Sequence, residues 1–239
     1  MKRATKVQQN FDDTGTAVDL KSISKTILRD ETYASLKKAI LTGKIAQGEK
    51  LTIRKLSALS DFSPTPIREA LLKLEQDGVV TRASSGQFFV RRFSEKEVGQ
   101  IFQLRILLET YGATEAIGYV TENDIIYLEE NIKESEIALG QGLISAVSLL
   151  NTEFHNFLTG IPKNEILQDL LQRISDKIWI NRSTALWASG KAKTAIIQHR
   201  KIVESIKNRN IEELEQILKE HILTAQQIVM EEAAKNEEP

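Results

Sequence analysis

The chain has 239 residues, 41% of them hydrophobic and 27% charged, which is a globular composition and excludes wholesale disorder. No apolar run is long enough to span a membrane, and the basic start lacks the apolar stretch of a secretory signal. Because cysteine is absent, a disulfide framework, thiol catalysis and a zinc site built on sulfur are excluded. We therefore expect a two-domain cytoplasmic protein that has no membrane partner.

The charge is distributed unevenly, although the formal net charge is only −1. Lys and Arg outnumber Asp and Glu by 17 to 10 over residues 1–93, whereas Asp and Glu prevail by 23 to 15 in the remainder. This split indicates that the first half meets a polyanion and that the second half does not. The alternative explanation is that the uneven charge arises by chance together with a basic N-terminal tail.

The sequence of the first half predicts an N-terminal arm followed by three helices. Residues 1–27 are polar with little periodicity and predict a flexible arm. Apolar residues recur at helical spacing from Thr32, and Gly43 ends this segment. A brief second helix is expected around Leu56. The third begins after Ser63, an N-cap residue that is followed by proline at the first helical position.

A hairpin is predicted directly after the third helix. Gly78 ends that helix as a left-handed cap, and residues 79–82 and 88–92 then form two strand-like runs around a turn. Three helices and a hairpin within about sixty residues are the plan of a winged helix-turn-helix domain. We place this domain at residues 28–93.

The second half is predicted to be helical almost throughout. Ser94 and Glu97 form a capping box that opens its first helix. The predicted helices are 94–119, 122–140, 143–159, 164–188, 191–208 and 211–233. Short connections between them predict an antiparallel six-helix bundle at residues 94–233, followed by a tail at 234–239. The expected fold class is therefore mostly α, with a winged helix-turn-helix before the bundle.

A helix-turn-helix domain places the N-terminal residues of its second helix against base edges in the major groove, and its wing approaches the neighbouring backbone or minor groove. The predicted DNA-reading residues are Arg54, Ser63, Thr65, Arg68, Gly86 and Gln87. Further lysines that favour contacts with phosphate are Lys37, Lys38 and Lys55. The alternative treats the start of the third helix as an ordinary solvated surface and the hairpin as a cap on the core.

The three histidines of the chain lie on three different predicted helices of the second half. Apolar residues three and four positions away place His199 and His221 on inward faces, and His155 shares a face with Asn151. Imidazoles that converge inside a bundle form a site for zinc, nickel or a similar ion, with Asn151 as a fourth ligand or as the holder of a water. Hydrogen-bonded core histidines are the alternative.

Arg105 lies on the first bundle helix, and Glu109 follows it one turn later. This spacing is typical of an ion pair on a helix surface. The other interpretation is that the forked guanidinium group of Arg105 binds the carboxylate of a small effector. The residues alone leave both interpretations open.

The core Thr-Pro-Ile-Arg-Glu-Ala-Leu at residues 65–71, with its surroundings, resembles the DNA-binding domain of GntR-family transcription regulators. The resemblance implies that Arg54, Thr65 and Arg68 contact operator DNA and that Gly86 lies in a minor-groove wing. The resemblance agrees with the excess of basic residues in the first half, because operator DNA is a polyanion.

The chain departs from the usual GntR pattern at two positions. Pro64 stands where arginine is usual, and Asp61 stands where glycine is usual. The missing arginine removes a contact with guanine or phosphate, so we expect an operator that differs from the common site of the family.

Residues 94–232 resemble the FCD ligand-binding domain of the FadR branch of these regulators. The matching stretches are Leu104-Arg105, Leu108-Glu109, Phe154-His155, His199 to Val203 and His221. In many FCD domains an Asp-x-x-x-His pair and two later histidines bind a divalent metal in the effector pocket. Here Asn151 replaces the aspartate, so the resemblance implies weaker binding of zinc or nickel by Asn151, His155, His199 and His221. The helix count resembles the VanR-like subgroup.

Together these features predict a DNA-binding transcription regulator, acting as a repressor, that responds to a small carboxylate bound by Arg105 near the metal. We expect a homodimer on double-stranded operator DNA, since one wing domain reads only a half-site. The alternative is a regulator for which the metal itself is the signal. A metal-dependent hydrolase is a weaker alternative, because the sequence offers no evident base beside the histidines.

Overall fold

The computed structural model describes residues 20–181 and 191–235, which form nine helices and three short strands. The first domain contains α1 (Leu20–Leu41), β1 (Lys50–Leu51), α2 (Ile53–Ala58), α3 (Pro64–Gln76), β2 (Val80–Arg82) and β3 (Phe88–Val90). The second contains α4 (Glu95–Ala116), α5 (Glu122–Gly140), α6 (Ile144–Gly160), α7 (Glu165–Asn181), α8 (Lys191–Lys207) and α9 (Ile211–Lys235). The predicted mostly α class is confirmed. Among these helices, none has a stretch with the length and apolar character needed to cross a bilayer.

A small antiparallel sheet closes the first domain. Its strand order is β1-β3-β2, with Leu51 opposite Phe88 and Thr81 opposite Phe89. Because successive residues of a strand point to opposite faces, Phe88 and Val90 are both buried in the core. The sheet thereby fixes the hairpin of β2 and β3 beside the three helices, which is the predicted winged helix-turn-helix arrangement.

Helix α3 begins and ends at the predicted signals. Ser63 has extended backbone angles at the N-cap, and proline occupies the first helical position. Ile67 and Leu71 are completely buried, so this face of α3 fixes the helix against the domain core. Gly78 follows the helix with a φ of 73°, a left-handed conformation that glycine adopts without steric cost.

Helix α1 differs from its prediction, because it begins at Leu20 instead of near Thr32. Residues 20–27 therefore belong to a helix and not to the predicted arm. This segment contains neither glycine nor proline, so nothing in it interrupts the hydrogen-bonding pattern that continues into the amphipathic part of α1. Residues 1–19 of the predicted arm, residues 182–188 of the predicted fourth bundle helix and residues 236–239 of the tail lie outside the described residues.

Helix α4 packs against α6, α7 and α9 in the second domain. The predicted capping box is present at its start, where the Ser94 hydroxyl accepts from the Glu97 amide at 3.3 Å and the Glu97 carboxylate accepts from the Ser94 amide at 3.0 Å. Gly112 permits a close helix crossing, since a Cβ atom there would lie 2.9 Å from a Leu167 methyl and 3.2 Å from Thr159 Cβ. The mid-portion of α4 is thus held close to α6 and α7.

Candidate functional site

The predicted DNA-reading residues of the helices lie on the surface of the first domain. Arg54 is exposed on α2, and Ser63, Thr65 and Arg68 are exposed at the N-cap and in the first turns of α3. Thr65 and Arg68 are three residues apart and therefore share one helix face, while Ile67 anchors the opposite face in the core. This arrangement leaves the N-terminal part of α3 free to enter a major groove.

The predicted wing is a tight turn between β2 and β3. The Ala83 amide donates to the Gln87 carbonyl at 2.9 Å, and the Gly86 amide donates to the Ala83 carbonyl at 2.8 Å. Gly86 has a φ of 80°, which favours glycine. Gln87 and Arg82 are exposed beside it, with the Arg82 guanidinium over the Phe88 ring. Both polar side chains are therefore available at the tip of the hairpin.

Two of the three lysines proposed for phosphate contact are engaged in ion pairs. Lys55 pairs with Glu49 at 2.8 Å on the surface. Lys37 pairs with Asp176 of the second domain, with both side chains mostly buried, so the interpretation of Lys37 as a phosphate contact is wrong. Its partner lies far away in the sequence, and no local signal indicated the pair.

The three histidines come together in the bundle from α6, α8 and α9. Each is at most 5% exposed, and ligand atoms of the three rings lie within 4.8 Å of one another. The Nε2 atoms of His155 and His221 are 3.0 Å apart. The ring of His199 stacks on Phe154 with centroids 4.0 Å apart, which fixes its plane. We call His155, His199 and His221 the histidine cluster.

Burial keeps two members of the histidine cluster neutral. It lowers the pKa of His199 well below that of a free imidazole, and the charges of His155 and Arg105 act in the same direction. Burial also lowers the pKa of His221, again with help from the neighbouring histidines. A neutral imidazole has a free lone pair, which is the form that binds a metal ion.

The partners of the rings determine where those lone pairs lie. His221 Nδ1 is 3.0 Å from Gln198 Oε1, an acceptor, so this nitrogen donates and Nε2 carries the lone pair. Both ring nitrogens of His199 are buried, and neither has a hydrogen-bond partner among the described residues. Such orphaned polar atoms are costly in a protein interior unless a further group binds them. The histidine cluster therefore has the donor set and the unmet bonding capacity of a divalent transition-metal site.

A buried charged chain lies next to the cluster. Arg105 Nε donates to Glu109 Oε1, and the other carboxylate oxygen of Glu109 is 2.7 Å from His155 Nδ1. Burial would raise the pKa of Glu109, but the charges of Arg105 and His155 hold it well below its usual range. Glu109 is therefore an anion in the interior. We call these residues the Arg105–Glu109–His155 chain.

The Arg105–Glu109–His155 chain corrects two expectations. The Arg105–Glu109 ion pair exists, but Arg105 is only 5% exposed, so the pair is in the core and not on a helix surface. The sequence also offered no evident base beside the histidines, whereas Glu109 contacts His155 directly. The signal that was available is helical spacing: Arg105 lies three residues after Phe102 and Glu109 four residues before Ala113, so the pair shares a face with apolar residues.

Asn151 lies one turn before His155 on α6 and is 4% exposed. Its Oδ1 atom is buried and has no hydrogen-bond partner within residues 20–181 and 191–235. Asn151 lines a cavity of about 20 Å³ together with Arg105, Glu109 and His155. This volume is enough for about one water molecule. The amide oxygen is thus a second orphaned acceptor close to the histidine cluster.

The two domains define a class: a winged helix-turn-helix protein that carries a helical domain with a buried polar site. Residues 28–90 match the gntR family of bacterial regulatory proteins, and residues 100–224 match the FCD domain. The chain belongs to the GntR family of transcription regulators, with an FCD domain after its DNA-binding domain.

Relatives agree with this assignment along most of the chain. The HTH-type transcriptional regulator YdhC of Bacillus subtilis (strain 168) is 31% identical over 192 residues, which cover 80% of this chain and 84% of that protein. The HTH-type transcriptional repressor RspR of Escherichia coli (strain K12) is 23% identical and covers 82% of this chain and 86% of its own. The solved structure of E. coli McbR shares the fold, with a TM-score of 0.75 at 20% identity over 85% of this chain and 97% of that one. The chain is a DNA-binding transcription regulator and not an enzyme, as predicted.

Proposed function

We propose that this regulator responds to a small organic acid bound beside a divalent metal ion, zinc or nickel. His155, His199 and His221 would hold the ion, with the Asn151 amide oxygen as a fourth, weaker ligand. The observation that carries the proposal is His199, whose two buried ring nitrogens have no hydrogen-bond partner in the part of the chain that the structure describes. A metal ion would satisfy one of them and polarise any oxygen ligand that binds next to it.

The charge balance supports an anionic effector. Once bound to an ion, three imidazoles and one amide would contribute no charge, and Glu109 is neutralised by Arg105. A divalent ion in this interior would therefore keep its positive charge, which is costly unless an anion binds it. The Nη1 and Nη2 nitrogens of Arg105 are further donors in the guanidinium fork, so a carboxylate can bind to both the metal and Arg105.

We propose that the DNA contacts are made by Arg54, Ser63, Thr65 and Arg68 in the major groove and by Gly86 and Gln87 of the wing. The exposure of the helical residues on one end of α3 supports this assignment. A single domain of this size reads one half-site, so the functional unit is a homodimer on a near-palindromic operator. Because DNA is the target, the protein works in the cytoplasm.

We assign the sign of regulation as repression. The name of the relative RspR, a transcriptional repressor, supports this choice. Effector binding would change operator affinity, and by linkage operator DNA would change effector affinity by the same factor.

A second candidate function is a regulator for which the metal alone is the signal. The observation in its favour is the size of the cavity next to His155, about 20 Å³, which holds a water molecule but no larger acid without rearrangement. Both candidate functions require the histidine cluster to bind a metal ion. They differ only in whether an organic acid adds to the effect of the metal on operator affinity.

The first test is elemental analysis of the purified protein before and after dialysis against a chelator. We expect close to one equivalent of a transition metal per chain, lost on dialysis and restored by zinc or nickel. DNA duplexes that the protein binds are then selected from a random pool. The affinity of the protein for these duplexes is measured with metal alone and with metal plus citrate as a probe. Absence of metal even after incubation with both ions would overturn the proposed site.

A further inference from the structure

We propose that Glu109 is a positioning residue for the metal site: through His155 Nδ1 it fixes the ring so that Nε2 presents its lone pair to the ion. This inference rests on the proposed metal-binding function and assigns to Glu109 a role of its own in it.

The first argument is the contact between the carboxylate and the ring. Glu109 is paired with Arg105 through Oε1, and its Oε2 atom, an acceptor, lies 2.7 Å from His155 Nδ1, so this contact favours a proton on Nδ1. When such a ring binds a metal ion, it does so in the neutral form, with its lone pair on Nε2. A carboxylate on the far nitrogen of a metal-binding histidine is a common outer partner, which sets the tautomer and increases the basicity of the ring.

The second argument concerns the two facing nitrogens. His221 donates from Nδ1 to Gln198, so its Nε2 also carries a lone pair. The Nε2 atoms of His155 and His221 are 3.0 Å apart, and two lone pairs at this distance repel unless a cation or a proton lies between them. Zinc binds imidazole nitrogens at about 2.0–2.1 Å, so one ion can contact both atoms.

The third argument is that Glu109 is itself held. Arg105 binds Oε1 and His155 binds Oε2, so the carboxylate cannot rotate without breaking one of the two contacts. Glu109 lies on α4 and His155 on α6, and the glycine at position 112 permits the close approach of these helices. A neutral or shorter side chain at position 109 would leave His155 free to adopt the other tautomer.

The test compares zinc binding by wild type, Glu109→Gln and the double variant Arg105→Gln/Glu109→Gln. The double variant removes both charges together, so it avoids the unpaired buried Arg105 that the single variant leaves. Glu115→Gln, which changes an exposed carboxylate on the same helix, is the matched control. We expect zinc affinity to fall about 10- to 100-fold in both position-109 variants and to stay unchanged in the control.

Histidine ring ¹⁵N NMR of the metal-free proteins supplies a readout that a merely structural role would not change. We expect the Nδ1–H tautomer for His155 in wild type and a mixture of tautomers in the double variant. A folded double variant with wild-type zinc affinity and an unchanged His155 tautomer would overturn the inference. If wild type binds neither zinc nor nickel, the proposed metal function fails, and the tautomer measurement alone then supports or overturns the positioning by Glu109.

Discussion

Lys37 Nζ lies 2.5 Å from Asp176 Oδ2, and this ion pair joins α1 of the DNA-binding domain to α7 of the helical domain. Asp176 is further held by Gln172 Nε2, which donates to its other oxygen at 3.0 Å. Its neighbours Ser175 and Ile178 line the small cavity beside the histidine cluster. Helix α7 therefore connects that cavity directly to the first domain, so a structural change at the cavity can be transmitted through this helix.

Replacement of Lys37 by methionine tests the strength of this connection. The change keeps most of the aliphatic volume but leaves Asp176, whose side chain is 6% exposed, without its cation. We expect the free energy of unfolding to fall by about 2 kcal/mol, less than for a fully buried pair because part of Lys37 is exposed. Urea denaturation measures the loss, and Lys38→Met, at the exposed neighbouring position, is the control. Equal stability of the two variants would contradict the prediction.

The same pair predicts a pH dependence. Burial by itself lowers the pKa of Lys37, but Asp176 outweighs burial and raises this pKa above its ordinary value. A raised folded-state pKa contributes stability that is complete below the unfolded-state pKa and is lost as pH rises through the folded-state value. We therefore expect the deficit of Lys37→Met to be constant from neutral pH to about pH 10 and to shrink above it. A deficit that shrinks between pH 7 and pH 9 would argue against the ion pair as its cause.

The wing turn depends on glycine at position 86. Its φ of 80° costs an alanine about 1 kcal/mol, so Gly86→Ala is expected to lower the free energy of unfolding by that amount. Gly140→Ala is the matched control, because Gly140 ends α5 without a positive φ and a Cβ atom there would meet no atom of the described residues within 4 Å. Urea denaturation of the two variants is the measurement. Similar effects of both substitutions would contradict the left-handed turn.

The sequence predicted those features that depend on local signals. The capping box at Ser94, the bounds of most helices and the inward faces of the histidines follow from residue types at fixed spacing within one helix. The contact of Glu109 with His155 and that of Lys37 with Asp176 join different helices, so they depend on how the helices pack. Periodicity within one helix does not identify such partners, which is why Lys37 was assigned to phosphate contact and Glu109 and Asp176 were left without a role in the site.

Substitution of Arg68 tests the DNA-reading surface. Arg68 is exposed in the first turns of α3, where a bidentate contact with guanine would contribute about 2 kcal/mol. We expect Arg68→Ala to weaken binding to selected operator duplexes by about 30-fold or more in a mobility-shift assay, with an unchanged circular dichroism spectrum. The control is Arg173→Ala, an exposed arginine on α7 of the other domain. Unchanged operator affinity of Arg68→Ala would refute the assignment of α3 as the recognition helix.

Loss of His199 tests the metal site through stability. A ligand that binds only the folded state stabilises it by about 2.7 kcal/mol at a concentration of 100 Kd, so added zinc is expected to raise the melting temperature of wild type. His199→Ala removes a ring whose nitrogens have no hydrogen-bond partner in the described ranges, and we expect both the zinc-dependent shift and the bound metal to disappear. Ser205→Ala on the same helix is the control, since it alters another buried polar residue outside the histidine cluster. If His199→Ala keeps the full zinc-dependent shift, the ion binds elsewhere, and the two orphaned nitrogens of His199 require another explanation.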